Sequence, residues 1–254
     1  MLLAIDIGNT NIMFGGFRGD RLAFVARIST NAFETEDEYA GKIRNTLAIH
    51  GVDPAEISGA ILSSVVPPLN GVMKRAVRFL CGVDPVVVGP GIRTGIPIQC
   101  DAPSSVGSDL ICACVAACHR YGCPALIVDM GTATKMMVVN RQGAFVGASI
   151  MPGVLMGMKG LAEGTAQLPQ VCLEAPAAVV AKNTADCMKS GVIYGHACMV
   201  DGMIDRICEE TGEALPVYAT GGLASIVVRH CRHEILLDEH LVLQGLQVLF
   251  KKNS

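Results

Sequence analysis

The chain has 254 residues, a hydrophobic fraction of 51% and a formal net charge of −3. A chain of this length suits two domains of ordinary size, each with its own core. The slightly acidic balance, without any basic run, argues against nucleic acid as a main partner. No uninterrupted apolar run is long enough to predict a membrane span.

Eleven cysteines are scattered through the chain, mostly inside apolar segments. Disulfides would be expected in a short secreted protein, but the start of this sequence has no secretory pattern, because Asp6 already interrupts its first apolar run. We therefore expect a reducing cytoplasmic compartment, in which the thiols serve as small buried apolar side chains.

The first predicted elements are an apolar strand, a tight turn and a returning strand. Residues 2–7 lead into a polar turn, and the apolar segment 12–17 follows it. Gly8 permits a close approach of the backbone to a ligand. Asp6 at the strand end is suited to holding a water bound to Mg²⁺. A single hairpin of this kind is more often purely structural, so this turn alone does not predict a function.

The remaining elements of the first half alternate between helices and strands. Thr35 and Glu38 have the spacing of a capping box, and apolar residues at helical spacing follow them. A third strand, a buried strand, a second helix and a short strand are predicted at residues 21–28, 59–66, 68–80 and 86–88.

Residues 89–105 are rich in Gly and Pro and are predicted to form a loop. Loops on a rigid scaffold carry functional residues more often than the scaffold itself. Ser108 and Asp109 then open an apolar helix that runs to about Tyr121, and either side chain is able simply to cap that helix.

The second half begins with a near copy of the first hairpin. Residues 125–130 form an apolar run that is interrupted by Asp129. Gly131 and Thr132 follow this run, and a second apolar run begins at residue 136. Asp129 lies 129 − 6 = 123 positions after Asp6, close to half the chain. Threonine hydroxyls and turn amides donate well to phosphate, so the duplication favours a phosphate-binding role for both turns.

Further strands are predicted at residues 144–150, 217–219 and 235–237. Further helices are predicted at residues 154–161, 183–210, 223 onwards and 239–250. Each half therefore offers three strands first, and then helices that alternate with further strands. We predict two α/β lobes, residues 1–121 and 122–254, with a nucleotide in the cleft between them. Within the second lobe, His196 is interpreted as a packed helical residue and Lys135 as a solvated strand lysine.

Several short motifs follow one another along the chain, namely Asp6-Ile7-Gly8-Asn9-Thr10-Asn11, Gly107-Ser108-Asp109, Asp129-Met130-Gly131-Thr132-Ala133-Thr134, Pro152-Gly153, Thr165-Ala166-Gln167-Leu168-Pro169, Asn183-Thr184, Gly191-Val192-Ile193-Tyr194-Gly195 and Thr220-Gly221-Gly222. Their joint order resembles that of the type III pantothenate kinase family, and the resemblance covers residues 2 to about 225. The resemblance implies a duplicated ribonuclease-H-like (actin-like) fold, a homodimer, and phosphorylation of pantothenate by ATP and Mg²⁺ to 4'-phosphopantothenate, the first step towards coenzyme A.

The resemblance also implies roles for individual residues. ATP contacts are implied for Asp6, Ile7, Gly8, Asn9, Thr10, Asn11, Thr132, Thr220, Gly221 and Gly222. Pantothenate contacts are implied for Cys100, Gly107, Ser108, Asp109, Leu110 and Thr184. Asp109 matches the catalytic base, and Asp129 matches the ligand of a monovalent cation, K⁺ or NH₄⁺. Taken by itself, Thr184 would more often be a helix N-cap.

Two positions of the implied acceptor site depart from the family pattern. Leu110 stands where the family usually has Arg, and Cys100 stands where it usually has Tyr. A hydrogen bond to a charged group contributes about 1.5–3 kcal/mol, so losing the Arg would weaken acceptor binding roughly tenfold to a hundredfold. Two alternatives stay open: a regulator that binds a nucleotide or metabolite without turnover, and a kinase for another small hydroxy acceptor.

Overall fold

The computed structural model describes all residues from 1 to 254, which form two compact units. The first unit consists of Met1–Tyr121 together with Leu241–Ser254, and the second consists of Gly122–His240. The division after Tyr121 agrees with the predicted lobes. The assignment of residues 241–254 to the second lobe is wrong, because this segment packs in the first unit.

The first unit contains one sheet and four main helices. Its strands are β1 (Leu2–Ile7), β2 (Asn11–Arg18), β3 (Arg21–Ser29), β4 (Gly59–Ser64) and β5 (Val86–Val87). Its helices are α1 (Glu36–Ile49), α2 (Pro67–Cys81), α3 (Ser108–Tyr121) and, from the end of the chain, α7 (Leu241–Asn253), with short 3₁₀ turns at Pro54–Glu56 and Pro103–Ser105.

The strands of this sheet lie in the order β3-β2-β1-β4-β5. Strand β2 runs antiparallel to both β1 and β3, whereas β4 runs parallel to β1 and β5 runs parallel to β4. Alternate residues face opposite sides. Leu3 and Ile5 pack in the core formed with α1 and α2, and Ala4 and Ile61 pack in the core formed with α3 and α7. The same alternation puts Asp6 on the α3 side.

The start of α1 follows the predicted capping box. Glu38 N donates to Thr35 Oγ1 over 3.4 Å, and Thr35 N donates to Glu38 Oε2 over 2.8 Å. Tyr39, Ile43 and Leu47 then fall on one face of the helix, and all three are buried. Local capping and the apolar spacing therefore give the same answer for this element.

The last helix, α7, packs directly on α3. A Cβ placed on Gly245 would lie 1.9 Å from the carbonyl oxygen of Cys112, so the two backbones meet where glycine has no side chain. Leu246 and Leu249 are fully buried in the same core. The apolar pattern of α7 predicts burial correctly, but a pattern does not say which of two sheets a helix covers, and this is why the predicted lobe was wrong.

The second unit repeats the topology of the first. Its strands are β6 (Ala125–Met130), β7 (Ala133–Val139), β8 (Phe145–Pro152), β9 (Val217–Thr220) and β10 (Ile235–Leu237). Its helices are α4 (Val154–Glu163), α5 (Thr184–Thr211) and α6 (Ala224–Val227), followed by a 3₁₀ turn at Val228–His230. The strand order β8-β7-β6-β9-β10 equals that of the first sheet with each number raised by five. The predicted duplication is confirmed.

Helices α4 and α5 cover one face of the second sheet. Leu126 and Val128 of β6 pack there against Ile193 and other apolar residues of α5. Although α5 has 28 residues, neither it nor any other helix of the structure combines the length and the apolar character that a membrane crossing requires.

His196 of α5 fixes the second hairpin to this layer. Its Nε2 lies 2.7 Å from the hydroxyl of Thr134 in β7, and both side chains are buried. Burial lowers the pKa of His196, because an imidazolium would lose its hydration there. The interpretation of His196 as a packed helical residue is confirmed, with the addition of this hydrogen bond.

Candidate active site

Asp6 and Ser63 form the first part of the site, at the ends of two parallel strands. They lie opposite each other in the register of β1 and β4, and Ser63 Oγ donates a hydrogen bond to Asp6 Oδ1. The carboxylate of Asp6 is therefore oriented by a buried hydroxyl rather than only by its own turn. Ser63 lies in the predicted strand 59–66, but no role was predicted for it. The signal for Ser63 was that a polar residue lies at the end of each of two strands that pair in parallel, Asp6 in β1 and Ser63 in β4.

The start of α3 is attached to the end of β4 by Ser108. Its hydroxyl accepts from Ser64 N over 3.0 Å and donates to Ser64 O over 3.2 Å. The suggestion that Ser108 only caps its own helix is therefore wrong, because its hydroxyl bonds to another element. This pair of bonds fixes the position of Asp109, the next residue along α3.

Asp109 lies in the first turn of α3 and is held close to the preceding glycine. A Cβ on Gly107 would lie 2.6 Å from Asp109 Oδ1, so the carboxylate takes the space that any other residue at 107 would fill. The same oxygen accepts from Leu110 N over 3.0 Å. Gly107 thus has a specific reason to be glycine, which is the placement of this carboxylate.

Cys112 shows that the two carboxylates of the first unit act at one place. Its thiol is fully buried, and burial raises its pKa well above the ordinary value of 9.0. The negative charges of Asp6 and Asp109 both raise this pKa further, and a hydrogen bond with Ser63 acts in the opposite direction. The structure therefore brings Asp6, Ser63 and Asp109 together around one thiol.

The other predicted acceptor residues differ in their surroundings. Leu110 is only 9% exposed and packs inward, with its Cδ1 3.2 Å from the Cβ position of Gly107. Cys100 is half-buried in the loop before α3. Thr184 belongs to the second unit, where it is the exposed first residue of α5. It is not the N-cap, because Asn183 Oδ1 accepts from Asp186 N over 2.9 Å in that role.

The first hairpin turn is held from both sides, so that Asn9 and Thr10 are exposed. Gly8 N donates to Asn11 O over 3.0 Å. Thr30, the residue after β3, donates through its hydroxyl to Gly8 O over 2.6 Å and through its amide to Thr10 O over 3.0 Å. Thr30 was not predicted, because only the folded sheet brings residue 30 beside residues 8–10.

Ile7 is the member of the predicted phosphate loop that faces the core. Its side chain is fully buried, and its carbonyl accepts from Val65 N over 3.0 Å. The predicted ATP contact of Ile7 therefore does not involve its side chain, which lies in the core. The exposed part of the loop consists of the residues after Gly8.

The second hairpin turn is one residue shorter than the first. Residues 8–11 separate the last paired residues of β1 and β2, whereas only residues 131–133 separate those of β6 and β7. Thr132 is exposed at the tip of the second turn. A Cβ on Gly153, the N-cap of α4, would lie 2.1 Å from Thr132 O. The helix therefore begins in direct contact with the turn, at a residue that only glycine can occupy without displacement.

The segment from Thr220 to Gly222 follows β9 beside Asp129. Thr220 is paired with Asp129 in register and is 2% exposed. Gly221 has φ +95°, and a Cβ there would lie 2.6 Å from Met130 O and 2.8 Å from Asp129 Oδ1. A side chain at residue 221 would be strained and would displace the Asp129 carboxylate. Gly222 is exposed.

Asp129 forms an ion pair with Lys135, which lies directly opposite it on β7. The Lys135 Nζ to Asp129 Oδ2 distance is 2.8 Å, and the two side chains are only 15% and 13% exposed. The interpretation of Lys135 as a solvated strand lysine is therefore wrong. Register, and not sequence distance, decides the outcome, because cross-strand partners share one face of a sheet.

This ion pair bears on whether a monovalent cation fits at Asp129. One carboxylate oxygen is 2.8 Å from the ammonium of Lys135, and the other lies against Gly221. A second monovalent charge about 4 Å from the ammonium would meet a repulsion of about 4 kcal/mol at an effective dielectric constant of about 20. The residues present do not fit a monovalent cation as the counter-ion of Asp129.

The residues do fit Mg²⁺ and nucleotide phosphates. Mg²⁺ keeps several waters and binds through one or two carboxylates together with substrate phosphates. Asp6, a single oriented carboxylate at a strand end, matches that requirement. Both turns expose polar residues, Asn9 and Thr10 in the first and Thr132 in the second, whose amides and hydroxyls are suited to phosphate.

Comparison with known proteins gives a consistent result. The family model described as type III pantothenate kinase matches residues 2–206. The type III pantothenate kinase of Geobacter sulfurreducens is 42% identical over 253 residues, which cover 100% of this chain and 99% of that protein. The type III pantothenate kinase of Syntrophobacter fumaroxidans is 42% identical over 255 residues, with 100% and 99% covered.

A solved structure supports the same fold. A putative 2-dehydro-3-deoxygalactonokinase from Sinorhizobium meliloti superimposes with a TM-score of 0.59 at 13% identity, covering 99% of this chain and 96% of that one. At this identity the likeness concerns the fold alone. The predicted fold of two duplicated actin-like α/β lobes is confirmed.

Proposed function

This chain belongs to the type III pantothenate kinase family, and on that premise we propose that it transfers the γ-phosphoryl group of ATP to the primary hydroxyl of pantothenate. The product is 4'-phosphopantothenate, in the first step of coenzyme A synthesis. The observation that carries this proposal is the full-length match, at 42% identity, to proteins named for this activity.

Asp109 acts as the general base in this proposal. Its carboxylate accepts the proton of the attacking hydroxyl while the new phosphorus–oxygen bond forms and the bond to the ADP oxygen breaks. The support is its fixed position at the start of α3, beside Gly107 and close to Asp6. A base must lie within hydrogen-bond reach of its substrate. The two hydrogen bonds between the Ser108 hydroxyl and the Ser64 backbone fix the backbone that carries Asp109.

The nucleotide is held by the two turns and by the segment after β9. In the first unit, the exposed Asn9 and Thr10 are the proposed phosphate donors, and in the second unit the proposed donor is the exposed Thr132. The segment Thr220-Gly221-Gly222, which ends at the exposed Gly222, is the proposed contact of the adenosine. Asp6, which is oriented by the hydrogen bond from Ser63, would hold a water bound to Mg²⁺, and the ion would supply positive charge to offset that of the phosphates.

In the first unit, the proposed pantothenate contacts lie on both sides of the α3 start. In the second unit, the proposed contact is the exposed Thr184. Gly107, Ser108 and Cys100 line the acceptor site in this proposal. Leu110 packs inward and offers no donor where the family usually has a guanidinium, so we expect a KM for pantothenate raised roughly tenfold to a hundredfold over that of an Arg-containing relative.

We further propose that the chain works as a homodimer in the cytoplasm. The family resemblance implies the dimer, and several large apolar side chains that are exposed in the second unit are available to an interface. They include Ile150 (70% exposed), Leu155 (52%), Met156 (49%), Val179 (64%) and Val180 (84%). The eleven free thiols suit a reducing compartment. Sedimentation equilibrium tests the dimer, and a monomer at micromolar concentration would contradict it.

The activity is tested by ADP production in a coupled assay with and without pantothenate, on the wild type and on Asp109→Asn. Turnover should depend on pantothenate and fall about 10²–10⁴-fold in the variant, while ATP binding measured by calorimetry stays the same. ADP release only with a different hydroxy acceptor would indicate a kinase for that acceptor. Nucleotide binding without turnover would indicate a regulator. Near-normal turnover of Asp109→Asn would remove Asp109 from the mechanism.

A further inference from the structure

The two hairpins differ in the residue that lies opposite the strand-end aspartate. Asp6 faces Met13 across β1 and β2, whereas Asp129 faces Lys135 across β6 and β7. The difference comes from the shorter second turn, which shifts the pairing by one residue. A one-residue shift exchanges the faces of a strand, so turn length determines that a cationic side chain stands beside Asp129.

The ion pair is held rigidly from several directions. Lys135 Nζ lies 2.8 Å from Asp129 Oδ2, and both side chains are largely buried. Thr134, the neighbour of Lys135, is tied to His196, and the Asp129 carboxylate is packed against Gly221. Partly buried pairs are screened much less by dissolved salt than exposed pairs are, so this positive charge stays at Asp129 over a wide range of ionic strength.

A lysine ammonium carries the same charge as K⁺ or NH₄⁺. It interacts with oxygen atoms through three N–H donors, whereas a free K⁺ ion is coordinated by them. Asp129 stands at the end of β6, directly before the turn proposed to hold phosphate. An uncompensated carboxylate there would repel a triphosphate, and one positive charge beside it removes that repulsion. The chemistry requires the charge at this point and does not require that the charge diffuse in from solution.

We infer that the ammonium of Lys135 takes the place of a dissolved monovalent cation at Asp129, so that this kinase works without K⁺ or NH₄⁺. The inference rests on the proposed phosphoryl transfer for its kinetic consequence. The expected effect of potassium on the melting temperature depends only on the Lys135–Asp129 pair. The rate and the melting temperature are measured separately.

The kinetic experiment compares pantothenate-dependent ADP formation in sodium chloride and in potassium or ammonium chloride at equal ionic strength. The wild type should give the same rate in all three salts. Lys135→Ala, which opens space beside Asp129, should lose roughly 10- to 100-fold in sodium and recover in potassium or ammonium. Lys135→Met, which fills that space without charge, should lose activity without recovery. Lys159→Ala removes an exposed lysine of the same unit and should behave as the wild type does.

The binding experiment needs no turnover. The melting temperature of each variant is measured in sodium and in potassium chloride, without nucleotide. Only Lys135→Ala should be stabilised by potassium relative to sodium, because only there does a free cation have a site beside Asp129.

Three results would overturn the inference. One is a wild type whose rate or melting temperature depends strongly on potassium or ammonium. Another is a Lys135→Ala protein with full activity in sodium. The third is a folded Lys135→Ala protein that melts identically in both salts and stays inactive in both. A wild type without pantothenate turnover in any salt would instead contradict the proposed function, and the melting measurement would still decide the inference.

Discussion

Replacing Gly153 by Ala tests whether the second turn must keep its position for catalysis. Gly153 has φ −73° and ψ 164°, an extended conformation that alanine adopts without strain. The added Cβ would lie 2.1 Å from Thr132 O and 2.8 Å from Gly131 O. Ordinary contact begins at 3.4 Å, so the turn has to move by about 3.4 − 2.1 = 1.3 Å relative to the start of α4.

A displacement of this size has a known order of cost. Misplacing a substrate-positioning group by about 1 Å lowers the rate by about 10²-fold, so kcat/KM for ATP should fall about a hundredfold in Gly153→Ala. Overpacking also costs about 1–3 kcal/mol of stability. The coupled assay is therefore run well below the melting temperature of the variant, which is measured by circular dichroism.

Gly157→Ala is the matched control. Gly157 lies in the same helix, and no atom comes within 4 Å of its Cβ position, so alanine there should leave kcat/KM unchanged and favour the helix slightly. If Gly153→Ala is folded and its kcat/KM for ATP equals that of the wild type, the second turn does not hold the phosphates.

Three further predictions concern other contacts. Burial lowers the pKa of His196 from its ordinary value of 6.5, so below about pH 6.5 the unfolded chain binds more protons than the native one. The melting temperature should then fall with falling pH until the lowered pKa is passed, and His196→Gln should flatten this dependence. Ser63→Ala removes the hydrogen bond to Asp6 and should raise the Mg²⁺ concentration for half-maximal rate about tenfold or more, as a Mg²⁺ titration would show. Gly245→Ala should lower the urea midpoint, because its Cβ would lie 1.9 Å from Cys112 O; an unchanged midpoint would contradict the packing described for α7.

The repeated fold was accessible from the sequence because its signals are local. Apolar runs ended by Asp and Gly, the capping box at Thr35 and the spacing of buried residues in α1 each depend on a few neighbouring positions. These patterns recur in the same order in both halves, so one half supports the interpretation of the other.

The features that were missed or wrong depend on contacts between distant segments. The Lys135–Asp129 pair follows from the length of one turn, and a difference of one residue would have placed the lysine on the other face. Ser63 acquires its role only when β4 lies beside β1. For Gly153, the reason to be glycine lies in a carbonyl of another element. Composition and periodicity carry none of this information.

Because α7 packs in the first unit, the second unit can be completed before the first one during synthesis. All residues of the second unit lie between Gly122 and His240, so that unit is whole before the last segment leaves the ribosome. The first unit has to wait for 254 − 121 = 133 more residues after Tyr121, or roughly 7–27 s at about 5–20 residues per second. During that interval the apolar α3 surface around Cys112, which α7 covers in the folded protein, stays exposed.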